Sequence, residues 1–310
     1  ITHLCGGSAG REGAALQIGG SLGCYIGRAF RLDDKDMRLA TLCGMSAVFA
    51  ALFGTPLTAT LFALEVISVG VIYYSALVPC IVASLFALEM ANIFGITPTH
   101  FDVVIEPISE LMLLKVSALA IVCSLMSTVF CLSMHKTEHL FAKLIKNPYL
   151  RIAAGGALVV LITAILGTGD YNGAGMNIIK RAIEEGQAKP DAFFWKLILT
   201  AITIGCGFKG GEVVPTFFIG ATLGCVLGSL LGIPTGFAAA IGLICVFCGA
   251  VNCPVASIVL SIELFGSTDL VYFALACGIA YMLSGYFGLY SSQKIMYSKL
   301  KAEFINIHAK

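Results

Sequence analysis

The chain has 310 residues, of which 58% are hydrophobic and only 12% are Asp, Glu, Lys or Arg, with a formal net charge of +1. A charged share about half the ~25% of soluble domains excludes a water-facing surface, and so even a balance offers no basic field to nucleic acid. The 34 glycines and a mean hydropathy of +0.93 suit helices packed closely in lipid.

In chain order the apolar runs are 13–30, 38–53, 56–95, 110–134, 152–167, 192–206, 213–231, 236–250, 254–266 and 269–288. Many fall short of the ~20 residues that cross ~30 Å of hydrocarbon. The pattern therefore predicts an all-α polytopic membrane protein built of tilted and broken helices. Gly54-Thr55-Pro56, Gly167-Thr168-Gly169, Gly210-Gly211 and Asn252-Cys253-Pro254 break membrane-depth sequence, which is tolerated where backbone is buried in protein or lines a cavity. Polar connections are expected at 28–38, 135–151 and 170–191, and the lysines from Lys294 onward favour a cytoplasmic C-terminus. The 12 cysteines are scattered through apolar runs and read as small packing residues. Cys245 and Cys248 lie one helical turn apart, with no His or second Cys pair to complete a metal site.

The chain repeats itself. Shifted by 198, Gly44 falls on Gly242, Val48-Phe49 on Val246-Phe247, Pro56 on Pro254 and Glu65 on Glu263. Shifted by 201, Ile18-Gly19, Leu22 and Gly23 fall on Ile219-Gly220, Leu223 and Gly224. A duplicated unit is expected: residues 1–105 as a first repeat, and 106–310 as a second repeat with a C-terminal helix. Together they would form one transmembrane transport domain without a cytoplasmic regulatory domain. Membrane repeats with Gly-interrupted segments at matching positions bind substrate between them. About a hundred residues precede Gly210 in the second copy, against nine before Gly10, so roughly ninety residues are expected to be missing at the N-terminus. The opening at Ile1 carries no charged leader, so no cleavable signal peptide is expected.

Two glycine-rich blocks could carry chemistry. Gly6-Gly7-Ser8-Ala9-Gly10-Arg11-Glu12-Gly13 opens one apolar helix, and Gly207-Phe208-Lys209-Gly210-Gly211-Glu212-Val213-Val214-Pro215 opens its partner. Unpaired N–H groups at a helix start make an anion site. Glu12 in such a site can imitate the anion when ionised and leave when protonated. Glu212 is a second acid in the same place. The plainer readings are ion pairs, Arg11 with Glu12 and Lys209 with Glu212. Glu65 and Glu263, matched by the repeat, read as solvated caps at helix ends more readily than as proton relays.

With Gly10-Arg11-Glu12-Gly13 followed by Gln17-Ile18-Gly19, a partner block ending in Pro215 and a late Tyr290, the chain resembles the CLC family of chloride channels and proton-coupled anion antiporters. Ala14 stands where the family usually has Pro, and Gly211-Glu212-Val213-Val214-Pro215 replaces its Gly-x-Phe-x-Pro. Both departures resemble the fluoride-transporting branch, which exchanges fluoride for protons. The family's inner proton-relay acid is absent, because Val66 follows Glu65. The resemblance implies a CLC-type inverted repeat and makes Glu12 the gating, proton-exchanging residue, with Glu212 a further acid near the ion. The anion would meet the backbone of Gly13, Ala14, Glu212 and Val213 and the hydroxyl of Tyr290. It further implies fluoride or chloride and protons as partners, a homodimer in the bilayer, no cofactor or metal, and no enzymatic activity. The chain has no glycosylation sequon, which favours a bacterial plasma membrane. A chloride/proton antiporter and a passive channel are the alternatives.

An alternative of another class is a zinc-dependent peptidase, because His135-Lys136-Thr137-Glu138-His139 fits H-x-x-E-H. That segment is expected instead to be a solvated loop beside the membrane.

Overall fold

A computed structural model of the chain describes residues 2–104, 107–267 and 270–310. Its helices are α1 (Glu12–Ala29), α2 (Asp34–Phe53), α3 (Pro56–Glu65), α4 (Leu77–Ile93), α5 (Glu110–Leu144), α6 (Pro148–Leu166), α7 (Met176–Lys180), α8 (Ala192–Gly205), α9 (Val213–Leu231), α10 (Thr235–Val251), α11 (Pro254–Phe265) and α12 (Leu270–Leu283). Three short strands, β1 (Ser68–Val69), β2 (Lys294–Tyr297) and β3 (Phe304–His308), form one small sheet. Five helical segments are long and apolar enough to cross a membrane, namely Asp34–Phe53, Tyr74–Ile93, Glu110–Leu144, Pro148–Leu166 and Val213–Leu231. The apolar run 56–95 breaks into α3, β1 and α4. The boundary expected between 105 and 106 lies outside the described residues.

Local chemistry explains most of the helix ends. Asp33 accepts from the N–H groups of Lys35 and Asp36 at the start of α2, and Asn147 caps α6 just before Pro148. Gly54, Gly167 and Gly232 end α2, α6 and α9 in the left-handed conformation. The starts of α1 and α9, like those of α4, α8 and α10, have no side-chain cap.

The same packing occurs twice. α1 crosses α2 so closely that a Cβ on Gly19 or Gly23 would overlap the carbonyls of Gly44 and Ala40. α9 crosses α10 in the same way, with Gly220 and Gly224 against the carbonyls of Gly242 and Ala238. Small residues four apart let two backbones approach where lipid gives no hydrophobic drive for association.

α3 and α11 pack on each other and exchange caps. The Glu263 carboxylate accepts from Leu57 N at 2.9 Å and Thr58 N at 2.8 Å, the first turn of α3. Glu65 returns the arrangement, accepting from Val255 N at 3.3 Å and Ala256 N at 2.9 Å, the first turn of α11. The shift of 198 carries each of these contacts onto the other, as a two-fold axis between the helices requires. Glu65 is only 5% exposed, so this cap is not a solvated one. Each carboxylate satisfies orphan donors at a positive helix end. Glu65→Ala leaves two buried N–H groups without acceptors and is expected to cost about 2–4 kcal/mol, read as a lowered melting temperature in detergent. Glu263→Ala, at the more exposed end, is expected to cost less.

The tail departs from expectation. No helix follows Leu283 among the described residues; residues 294–297 and 304–308 are strands. In Phe304-Ile305-Asn306-Ile307-His308 the two isoleucines alternate with Asn306 and His308, a period of two that fits a pleated strand and not a helix. β2 pairs in parallel with β1, Val69 opposite Ile295, and antiparallel with β3, Ile295 opposite Ile307. Gln293 locks the tail in place: its Nε2 donates to Val66 O at 2.7 Å and Val251 O at 2.8 Å, while its Oε1 accepts from Asn252 Nδ2 at 2.9 Å. Lys299 Nζ donates to Asn252 Oδ1 and Ser284 Oγ, and burial pulls this lysine down to about 8.

Candidate functional site

The two glycine-rich blocks meet. Gly10 N donates to Gly211 O at 2.7 Å and Gly211 N donates to Gly10 O at 2.6 Å, an isolated antiparallel bridge between residues that the shift of 201 superposes. Just beyond it α1 begins at Glu12 and α9 at Val213. The first intrahelical bonds are Ala15 N to Arg11 O at 3.1 Å and Thr216 N to Glu212 O at 3.2 Å. The N–H groups of Glu12, Gly13 and Ala14, and of Val213 and Val214, therefore stand outside the helical ladder. Pro215, in the first turn of α9, has no N–H to leave unpaired.

Glu12 lies over this bridge. It is 3% exposed, and its Oε2 has no hydrogen-bond partner. A Cβ on Gly10 would overlap that oxygen, and one on Gly211 would come within 3.0 Å of it. The bridge glycines thus make the space that the carboxylate fills. No Arg11–Glu12 or Lys209–Glu212 ion pair forms among the described residues, where the ion pairs are His100–Asp102, Lys180–Glu184 and Lys189–Asp170. The last joins two connecting segments on the surface, and Lys189 holds the Asp170 carboxyl below its usual range.

Glu212 is at the same site in a different position. It is the residue before α9 and is half-buried, whereas Glu12 is the first residue of α1. The shift of 201 brings Arg11, not Glu12, onto Glu212. The two acids are therefore not mates by repeat, because a one-residue offset turns a helix residue about 100° around its axis. Gly13 faces the bridge, its missing Cβ 3.2 Å from Gly211 Cα. Ala14 places its methyl on the exposed side of α1 with Gln17 and Ile18, so only its N–H is directed along the axis. Val213 and Val214 are fully buried.

Tyr290 is in no helix; it sits in the segment between α12 and β2, its carbonyl accepting from Gln293 N at 2.9 Å. Its side chain is partly buried against the main hydrophobic core. Sequence reasoning missed the far end of α5. The segment expected as a loop, His135 to His139, is the last part of this 35-residue helix. His135 Nε2 is 2.9 Å from Gly288 O, next to the tail, and Cys131, His135 and Glu138 follow a helical spacing along α5. No group of three metal-ligating side chains converges among the described residues.

Two uncapped helix starts are thus joined back to back, with a carboxylate folded over the join. Comparison with known proteins gives the family. Residues 1–285 match the family described as voltage gated chloride channel, and the chain belongs to this family. It is 39% identical over 306 residues to the chloride/fluoride channel protein of Pseudomonas syringae pv. tomato, covering 96% of this chain and 68% of that protein. A crystal structure of a CLC-type fluoride/proton antiporter superposes with a TM-score of 0.91 at 34% identity, covering 94% of this chain and 74% of that one. A slow cyanobacterial Cl−/H+ antiporter, at 21% identity and a TM-score of 0.74 over 91% of this chain and 69% of that one, shares the fold. The protein is thus a multi-pass membrane protein with the CLC fold.

Proposed function

We propose that the protein exchanges fluoride for protons across a bacterial plasma membrane, through an ion pathway that each chain builds for itself between repeats 1–105 and 106–310. The observation that carries this reading is the buried Glu12 carboxylate over the Gly10–Gly211 bridge, its Oε2 without a hydrogen-bond partner. Ionised, Glu12 occupies the anion's place beside the free N–H groups. Protonated, it has less reason to stay and gives up the place to an anion, which would be held by the N–H groups of Gly13, Ala14, Glu212 and Val213 and by the Tyr290 hydroxyl. Glu212 then accepts or passes on the proton near the inner end of the site. Fluoride is small and firmly hydrated, so it needs many donors; two facing helix starts supply them without a full positive charge. The likeness to a CLC-type fluoride/proton antiporter supports fluoride over chloride. A homodimer with one pathway per subunit belongs to the same proposal.

The test is efflux of fluoride and of chloride from proteoliposomes, followed by ion electrodes with the external pH recorded. Fluoride leaving several-fold faster than chloride, with protons entering, is the expected result. Equal rates for the two anions would turn the reading to a chloride antiporter, and anion flux without protons would turn it to a channel.

A further inference from the structure

Lys196, on α8, is completely shielded from solvent, and no carboxylate lies within ion-pair distance of it among the described residues. Its Nζ donates to Tyr171 O at 3.1 Å and Gly173 O at 2.6 Å and stands 5.1 Å from the centre of the Phe218 ring. A cation held at this depth by carbonyls and a ring is costly, and such residues are kept where their placement serves the site.

What Lys196 holds is the support of Glu12. The strap before α1 is tied to the same segment: Gly173 N donates to Gly7 O at 2.9 Å, and Ser8 Oγ donates to Tyr171 O at 2.8 Å. Ser8 is also tied to α8 directly, its N–H to Thr203 Oγ1 at 3.1 Å and its hydroxyl to Thr200 Oγ1 at 3.1 Å. Lys196, Thr200 and Thr203 lie one and two turns apart on a single face of α8. On the other side, Phe218 belongs to α9, and Tyr171 packs edge-on against it with ring centres 6.3 Å apart. Gly175 adopts a φ of +77°, and a Cβ there would come within 2.6 Å of the Phe218 ring and 3.7 Å of Lys196 Nζ. One ammonium group therefore meets the segment that anchors the strap of Glu12 and the helix that begins at Val213.

We propose that Lys196 is a positioning residue for the Glu12 gate: by pinning residues 171–173 against α8 it fixes the strap 6–10 relative to α9, so that the carboxylate seats over the glycine bridge. This rests on the gate reading of Glu12 given above.

The test is the number of protons moved per fluoride in proteoliposomes, measured for the wild type, Lys196→Met, Lys196→Arg and Ser8→Ala, with the melting temperature of each. Lys196→Met is expected to lower the ratio at least about threefold while fluoride still moves, because a loosely held gate no longer excludes the ion that should wait for it. Lys196→Arg, which keeps the charge and the donors, is expected to restore most of the ratio. Ser8→Ala, a small change on the same strap, should shift it in the same direction by less. A wild-type ratio in Lys196→Met, with only its melting temperature lowered, would reduce the lysine to a structural cross-link and overturn the proposal. Should Lys196→Met fail to assemble, a wild-type ratio in Ser8→Ala would overturn it equally. A wild type that moves fluoride without protons would overturn the gate reading along with it.

Discussion

Glu12→Gln is expected to abolish proton movement while leaving a path for the anion. Glutamine has the size of glutamate, so it can lie over Gly10 and Gly211 without disturbing the bridge, but it neither ionises nor carries a proton at physiological pH. Exchange depends on one group that competes with the anion when charged and gives way when neutral. Without titration the two fluxes separate. Protons per fluoride should fall by at least about tenfold, the lower end of what removing a proton-transferring group costs. Fluoride efflux itself should continue. An undiminished proton flux in Glu12→Gln would remove Glu12 from the mechanism and leave Glu212 as the carrier.

Gly10→Ala is expected to have an effect nearly as large, by a different route. The added methyl overlaps the Glu12 carboxylate, the flexible end of a side chain, and otherwise comes no nearer to the facing strand than 3.2 Å from Gly211 O. The fold can absorb it by expelling the carboxylate, so the melting temperature should hold while protons per fluoride fall about tenfold. Gly211→Ala meets the opposite situation. Its methyl would lie 2.7 Å from Gly13 N and 2.8 Å from Glu12 N, which are backbone atoms at a helix start. Relief requires the two helix starts to move apart, so stability is expected to suffer as well as coupling. A cycle separates the two effects. In the Glu12→Gln background, Gly10→Ala should have no further effect on coupling, since both changes act on the same group.

The helices were legible because apolar length and Gly/Pro punctuation are local properties: 213–231 and 254–266 were readable almost to the residue, as α9 and α11. The repeat was legible because it needs only the sequence against itself, and it located the Gly10 and Gly211 blocks before any geometry was known. Three things were not legible. The cap exchange between Glu65 and Glu263 depends on α3 and α11 lying against each other, and nothing near either acid in the sequence names a helix start some 190 residues away, as for Glu65 and Val255. The helical state of His135 to His139 was hidden because a polar, Lys-bearing stretch looks the same as a loop or as the protruding end of a long helix. The strands of the tail left a signal only in part, the alternation of Ile305 and Ile307 with Asn306 and His308, which a reading fixed on membrane helices passes over.

The offset between Glu12 and Glu212 is instructive in the same way. Two acids after two pairs of glycines look equivalent on the page, yet the bridge pairs Gly10 with Gly211 and leaves the acids one residue apart. The Glu12 carboxylate lies over the bridge, and Glu212 stands just before α9. The starts of α3 and α11 are occupied by Glu263 and Glu65. Those of α1 and α9 have no such side-chain cap; on the proposed reading they are left to a movable carboxylate and an ion.

The most direct measurement is proton movement driven by fluoride alone. Purified protein in liposomes, loaded with fluoride at equal internal and external pH and with membrane voltage clamped by potassium and valinomycin, should take up protons against the pH gradient that builds as fluoride leaves. The account predicts proton uptake that reverses when the fluoride gradient is reversed and that is absent in Glu12→Gln. Fluoride efflux at constant pH from the wild-type protein would contradict it.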